Sequence, residues 1–465
     1  MSEFENCLIP GKKGHLVGIG GVSMSPLAEV LLGMGISIRG SDISDSATVK
    51  HLRGLGITVD IGHSAENVEA GCDFVVRTAA ARDDNPEIAE ARRAGIPVFE
   101  RTEAWGAIMR DYRNALCIAG THGKTTTTSM ATHILMAAGF DPTVMIGGTL
   151  PLLKAGHRVG AGDTIIMESC EYYDSFLSFF PTIAVILNIE ADHLDFFTDL
   201  DAVKASFLNF AALVPEDGHI IANADDENTM SALKPLSRRL FTFGLSDDAD
   251  VYAANIKFRG AQTEFDVMYK DRVFTHISLK VPGLHNVKNA LAATAAAICL
   301  GAAPLAVSYG LTAFTGAGRR FEFKGKCRGA DVYDDYAHHP GELKALFDAV
   351  VPLGYERVIA VFQPHTYSRT SALFDDFVEQ LKRPDVMLLA EIYAAREKNL
   401  IGISSADLSK NVPGSVFVPS FEEIEETILK IARPGDIILT VGAGDVYKIG
   451  EHLTQKETSV SSSGL

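Results

Sequence analysis

Residues 114–120, NALCIAG, form an apolar run ending in glycine, residues 128–139, TSMATHILMAAG, carry a helical pattern, and Gly120-Thr121-His122-Gly123-Lys124-Thr125-Thr126 bridges the two. A buried strand, a glycine loop and a helix in that order gather backbone N–H groups at a helix start, where the dipole favours negative charge. Glycines let that backbone approach phosphate oxygens closely, so the segment predicts a phosphate-cradling P-loop on a parallel α/β sheet. Lys124 is then expected at the β and γ phosphates and the Thr125 hydroxyl at Mg²⁺. The motif departs from GxxxxGK(S/T): Ile118 stands where the first glycine would be and Gly120 sits closer in. A glycine-rich turn with a surface lysine is the plain alternative.

A P-loop needs a metal, and Mg²⁺ prefers few carboxylates with water completing an octahedron. Strand TIIM (164–167) ends in Glu168-Ser169-Cys170-Glu171, and PTIAVILNI (181–189) runs into Glu190-Ala191-Asp192-His193. The carboxyl ends of two parallel strands can converge on one crevice. Glu168 and His193 are therefore metal candidates beside Thr125. A histidine at a loop start can equally be only hydrogen-bonded. Glu190 and Asp192 read as caps of the following helix.

At 465 residues, the soft prior of about 150 per domain gives roughly 3 domains. Strand and helix patterns alternate through HLVGIG, ISIRGSD, ITVDIG, DFVVRTAA and IPVFE, which argues a parallel sheet over residues 1–112. A second block over 113–314 holds the P-loop. A third over 315–465 repeats the logic with ADVYDDYA, RVIAVFQ, DVMLLAEIY and DIILTVGAGD. The expected architecture is α/β in three domains: Rossmann-like, P-loop ATPase-like, and Rossmann-like again. The polar tail ETSVSSSGL is expected to be disordered.

Lys plus Arg number 42 and Asp plus Glu 59, a net charge of −17, which opposes long-range attraction to nucleic acid or anionic membrane. The six cysteines lie far apart with no CxxC spacing, and the start carries no long apolar run, so a reducing cytoplasm is expected. The most apolar stretch, 290–307, is interrupted by Thr294, Gly301 and Pro304 and suits a buried helix better than a membrane span.

Gly18-Ile19-Gly20-Gly21-Val22-Ser23 follows the first strand, and Asp42 comes about 20 residues later, as in a dinucleotide fingerprint. Two phosphate loops admit two readings: an NAD-dependent dehydrogenase with an added ATPase, or an ATP-consuming enzyme whose substrate carries a diphosphate. Asn286 and Asn289 share a helix face, where an amide can read an adenine edge or Asn286 can simply cap. Arg319 and Arg320 precede the third block. Asp335, Tyr336, His338 and Arg369 lie at its strand ends, and the planar fork of Arg369 suits a small carboxylate.

GIGGVSMSPLAE, GTHGKTTTTSM, ESCEYYDSF, NIEADHLDFF, GLHNVKNALAA, GRRFE, DDYAHHPGE, FQPHTYSRT and VGAGD, in this order over about residues 14–448, resemble the Mur ligases. The GIGG start, DDYAHHP and FQPHTYSRT are similar to the alanine-adding members and their peptide-recycling relatives. The resemblance implies an ATP- and Mg²⁺-dependent ligase of peptidoglycan precursor synthesis that joins L-alanine to the lactyl carboxylate of UDP-N-acetylmuramate through an acyl phosphate. The alternative within the family adds a tripeptide instead. A monomer or weak homodimer is expected.

By the same resemblance Lys124, Glu168, His193, His338 and Arg369 carry the chemistry. Gly120, Thr121, His122, Gly123, Thr125, Thr126, Asn289, Arg320 and Asp335 join Lys124 in holding ATP, while Glu168 and His193 hold a second Mg²⁺. Gly18, Gly20, Gly21, Ser23, Ser41, Asp42, His63 and Arg101 hold the UDP-sugar. Tyr336 and Arg369 lie on the amino-acid side. Lys204 matches a lysine that is carbamylated in some members. Thr366 stands where many relatives carry Arg, which shifts carboxylate recognition onto Arg369. TAAAR (78–82) replaces a Ser-containing stretch, so Ala79 and Ala80 offer no hydroxyl.

Overall fold

The structure is a computed structural model and describes residues 3–78 and 80–462, so Ala79 lies outside the described residues. It contains three sheets in sequence. The first has five parallel strands in the spatial order Thr58–Ile61, Ser37–Asp42, Lys13–Val17, Phe74–Arg77, Val98–Glu100. The chain reverses its winding between Lys13–Val17 and Phe74–Arg77, and a ligand crevice opens at such a switch.

The middle sheet has ten strands. Asn114–Ala119, which delivers the P-loop, pairs in parallel with Thr164–Glu168 on one side and Ile183–Ile186 on the other. All three are apolar and buried on both faces, the condition of a parallel sheet covered by helices. The helices Lys124–Ala137, Leu284–Cys299 and Pro304–Ala313 cover one side, and the Ala-rich run 290–297 is buried throughout.

Beyond Phe241–Gly244 the sheet continues as an antiparallel meander, Val251–Arg259, Gln262–Tyr269 and Arg272–Leu279. Thr263, Phe265 and Val267 alternate inward along the second strand, the period of a sheet with one wet face.

The third sheet has six strands, in the order Glu322–Cys327, Ala330–Asp335, Asp436–Val441, Arg357–Phe362, Val386–Leu389, Val416–Phe417, with only the first antiparallel to its neighbour. Of the tail expected to be disordered, residues 457–462 instead continue the helix Tyr447–Ser462, and residues 463–465 lie outside the described residues. Among the described residues no helix is long and apolar enough to cross a membrane, and all six cysteines are free thiols.

Candidate functional site

Gly123 turns the chain into the P-loop helix at φ +84°, and a Cβ there would lie 2.6 Å from Asn289 Oδ1. Only glycine meets both conditions without strain. Lys124 folds back over the loop, its Nζ donating to Gly120 O at 2.5 Å, Thr121 O at 3.1 Å and Glu171 Oε2 at 2.9 Å. Burial alone would lower the Lys124 pKa. The Glu171 carboxylate beside it outweighs burial and holds the amine above its ordinary value. Glu171 is itself only 2% exposed. Its role as the partner of the P-loop lysine went unassigned in the sequence, because the two lie 47 residues apart on different strands' loops.

The second corner joins the Thr125 hydroxyl to Glu168 Oε1 at 3.0 Å, while Glu168 Oε2 accepts the Gly147 N–H at 2.6 Å. That approach requires glycine at 147, where a Cβ would fall 2.5 Å from Glu168 Oε1. An alcohol and a carboxylate at one point are the hard oxygen donors that Mg²⁺ takes. His193 faces the same cleft, stacked on Tyr172 with ring centroids 4.2 Å apart and Nε2 4.0 Å from Glu171 Oε1. Burial lowers its pKa despite the nearby acids, favouring the neutral imidazole that ligates metals. Thr125 and Glu168 thus offer the oxygen donors such an ion takes, and His193 lines the same cleft.

Glu190 and Asp192 do not cap the next helix, Leu200–Ala212. Asp199 does so, through Ala202 N at 2.9 Å. Glu190 Oε2 lies 3.3 Å from His122 Nε2, and Glu342 Oε1 lies 3.6 Å from His122 Nδ1. Burial opposes the charged imidazole, yet the two carboxylates raise the His122 pKa to about 10.

A cavity of about 300 Å³ beside the P-loop is lined by His122, Gly123, Thr126, Asn289, Arg320 and Asp335 among others. Asn286 does not cap the helix that bears it. Its amide donates to Pro282 O at 2.7 Å and its oxygen accepts from Asn289 Nδ2 at 3.2 Å. The two adjacent arginines divide their work. Arg319 is spent within the third unit, on Asp334 at 2.9 Å and on the Gly442 and Gly444 carbonyls at 2.6 and 3.0 Å. Arg320 extends into the cavity and reaches Glu342 Oε1 at 3.4 Å. Burial raises the Asp335 pKa to about 6 even with Arg320 near it.

A larger cleft of about 900 Å³ adjoins this cavity and is lined by Thr121, Lys124, Thr125, Glu168 and His193 from the middle unit and by Arg320, Tyr336 and His338 from the third. His338 is part-buried, and its desolvation lowers its pKa to about 3. Its Nδ1 lies 3.0 Å from Tyr336 O. Arg369, 10% exposed, grips Asp192 with Nε and Nη2 at 3.0 and 3.3 Å. Beside the pair opens a third cavity of about 200 Å³. Thr366 lines it with φ at +68°, a conformation that β-branched residues adopt only under strain.

The N-terminal glycine loop is held by local hydrogen bonds. Gly20 N–H donates to Asp42 Oδ2 at 2.9 Å, Gly21 N–H to Gly18 O at 3.1 Å, and Arg101 reaches the Ser23 hydroxyl. Trp105, 1% exposed, anchors the loop by donating to Ser23 O at 3.1 Å. Ser41 and His63 are turned to a buried acid instead: Glu87 Oε2 accepts from Ser41 Oγ at 2.6 Å and lies 3.2 Å from His63 Nδ1. None of these residues lines the three cavities above, and neither does Lys204, half-buried on its helix.

Three family descriptions match successive parts of the chain: "Mur ligase family, catalytic domain" over residues 13–113, "Mur ligase middle domain" over 118–297 and "Mur ligase, glutamate ligase domain" over 319–444. A UDP-N-acetylmuramate--L-alanine ligase of Acetivibrio thermocellus is 44% identical over 97% of this chain and 97% of its own. The crystal structure of a UDP-N-acetylmuramate-alanine ligase from Thermotoga maritima superposes with a TM-score of 0.79 at 30% identity, covering 96% of this chain and 99% of the other. A murein peptide ligase from Psychrobacter arcticus shares the fold at 24% identity and a TM-score of 0.71, over 96% and 98% of the two chains. With near-complete coverage by such relatives, the chain belongs to the Mur ligase family.

Proposed function

We propose that this chain is an ATP-dependent ligase that forms the amide between L-alanine and the lactyl carboxylate of UDP-N-acetylmuramate, releasing ADP and phosphate in peptidoglycan precursor synthesis. The observation that carries the reading is a single cleft in which the P-loop lysine, the Thr125–Glu168 corner and the strand ends of the third unit meet.

A carboxylate is a poor electrophile at neutral pH. Its oxygen attacks the γ phosphorus of ATP, ADP leaves, and the acyl phosphate so formed presents a carbonyl that an amine can attack. The amine attacks after giving up one of its three ammonium protons; collapse of that adduct expels phosphate, and the nitrogen loses a second proton and keeps the third as the amide N–H. Lys124 and Arg320 supply fixed positive charge where the transferring group becomes more anionic, a contribution of several kcal/mol in such sites. Thr125, Glu168 and His193 would hold Mg²⁺, which when bound neutralises phosphate oxygens. Asn289 fits the adenine edge, Asp335 the ribose, and Arg369 the amino-acid carboxylate.

In this reading residues 1–112 carry the UDP-sugar, 113–314 ATP and 315–465 the amino acid. A monomer or weak homodimer belongs to the same reading, and six free thiols suit the cytoplasm. ADP release, assayed across amino acids with UDP-N-acetylmuramate present, tests the reading and is expected to depend on L-alanine. Turnover of L-alanyl-γ-D-glutamyl-diaminopimelate in its place would move the chain to the recycling ligases. NADH formation without ATP consumption would make it a dehydrogenase.

A further inference from the structure

We infer that Asp192 is the ammonium-binding residue of the amino-acid pocket and that its pairing with Arg369 takes the place the substrate carboxylate fills. The inference rests on the proposed alanine-adding reaction and adds a residue to it.

Asp192 lies on the loop after Ile183–Ile186 in the middle unit, and Arg369 on the helix Tyr367–Ala372 in the third. Both side chains are 10% exposed, and the guanidinium meets the carboxylate edge-on through Nε and Nη2 at 3.0 and 3.3 Å. That two-pronged geometry is how an arginine holds any carboxylate, an amino acid's included. The far side of the fork is engaged as well, with Nη1 3.3 Å from His365 Nδ1. A substrate carboxylate taking the same edge must therefore displace Asp192.

Once displaced, Asp192 is a buried anion in need of a cation, because leaving such a charge unpaired is strongly unfavourable. The groups around it are poor substitutes. The nearest, His193, keeps its Nε2 3.8 Å from Oδ2, beyond hydrogen-bond reach. An α-amino acid carries its ammonium one carbon from its carboxylate, so a zwitterion seated on Arg369 brings the missing cation with it. One ion pair between the units becomes two, with the substrate between them. The cavity beside the pair, about 200 Å³ and bounded by Ala372, Leu373 and Leu194, gives a small apolar side chain its place. Only the partner groups exchange in this step, and no covalent bond is made or broken.

Asp192→Asn keeps the shape and removes the charge. Inhibition of L-alanine-dependent ADP release by propionate, which has the carboxylate alone, is compared with inhibition by L-alaninamide, which has the ammonium alone. In the variant propionate is expected to bind about tenfold more tightly, because nothing competes for Arg369. L-alaninamide and L-alanine itself are expected to weaken about tenfold or more, with the KM for ATP unchanged. Asp192→Glu should recover the L-alaninamide response. Shifts of both analogues in one direction, or no shift, overturn the inference. Should the variant turn over too slowly, the same ligands are titrated calorimetrically into it. The native enzyme provides an arm independent of folding: methylammonium should lower the propionate inhibition constant, since each ligand frees the other's site, and independent binding of the two overturns the inference. If the native enzyme releases no ADP with L-alanine, the reaction assignment has failed; if it does while the analogues behave alike, only the role of Asp192 has.

Discussion

In the pair Lys124–Glu171 a proposed catalytic role and a structural demand meet. Among the described residues, the lysine is the only counter-charge within hydrogen-bond reach of a carboxylate that is 2% exposed. Lys124→Ala should therefore do two things: lower turnover by about 100-fold or more, as loss of a transition-state donor does, and destabilise the fold by about 3 kcal/mol through the orphaned acid. Adding Glu171→Gln should restore the urea midpoint and leave turnover low. Recovery of both together would show that the lysine acts only structurally. Thr366 is the opposite case, a side chain at odds with its backbone. Held at φ +68°, it should tolerate glycine well, and Thr366→Gly is expected to raise unfolding free energy by about 1 kcal/mol after the entropic cost of glycine. A loss of stability in denaturant titration would mean that its contacts outweigh the strain.

Glu87 governs the first element set. It accepts from Ser41 at 2.6 Å and Asn67 at 2.5 Å, and His15 Nε2 lies 3.6 Å away. Burial works against its charge, but these partners win and depress its pKa from 4.5 to about 2. A depressed carboxylate contributes stability above pH 4.5 that disappears as pH falls toward 2. A shift of this size corresponds to about 3 kcal/mol. Glu87→Gln should flatten the acid limb of the stability profile below pH 4.5, and an unchanged limb would show that other groups set it.

Elements of this kind also mark how far the sequence can be read. The P-loop, the Gly20–Asp42 loop and the strand ends bearing Glu168 and His193 are legible because each signal is local: an apolar run, a turn, a polar residue at its end. The strands Gln262–Tyr269 and Arg272–Leu279 were within reach, since Thr263, Phe265 and Val267 alternate in plain view, but neither was anticipated. The helical end of the chain was misread because a polar composition says nothing of the packing that precedes it. Lys124–Glu171, Ser41–Glu87 and Arg369–Asp192 could not be seen, the last joining residues 177 apart. Such pairs exist only once sheets and units have docked, and nothing in either segment names its partner.

At the scale of the whole molecule, the middle and third units are tied by Arg369–Asp192, by His339 Nε2 on Ala191 O at 3.3 Å, and by His122 between Glu190 and Glu342. The His122 pKa is raised to about 10, so its contribution is full below about pH 6.5 and is lost as pH rises through 10. The ligand-free radius of gyration should therefore grow between pH 7 and 10 by small-angle scattering, and His122→Gln should remove that dependence. A radius independent of pH in the native protein would mean that the other ties suffice. The central claim is that one cleft first phosphorylates a carboxylate and then delivers it to an amine. UDP-N-acetylmuramate labelled with ¹⁸O in its lactyl carboxylate measures this directly. Each turnover with L-alanine should leave one labelled oxygen in the released phosphate, whereas unlabelled phosphate would contradict an acyl-phosphate route.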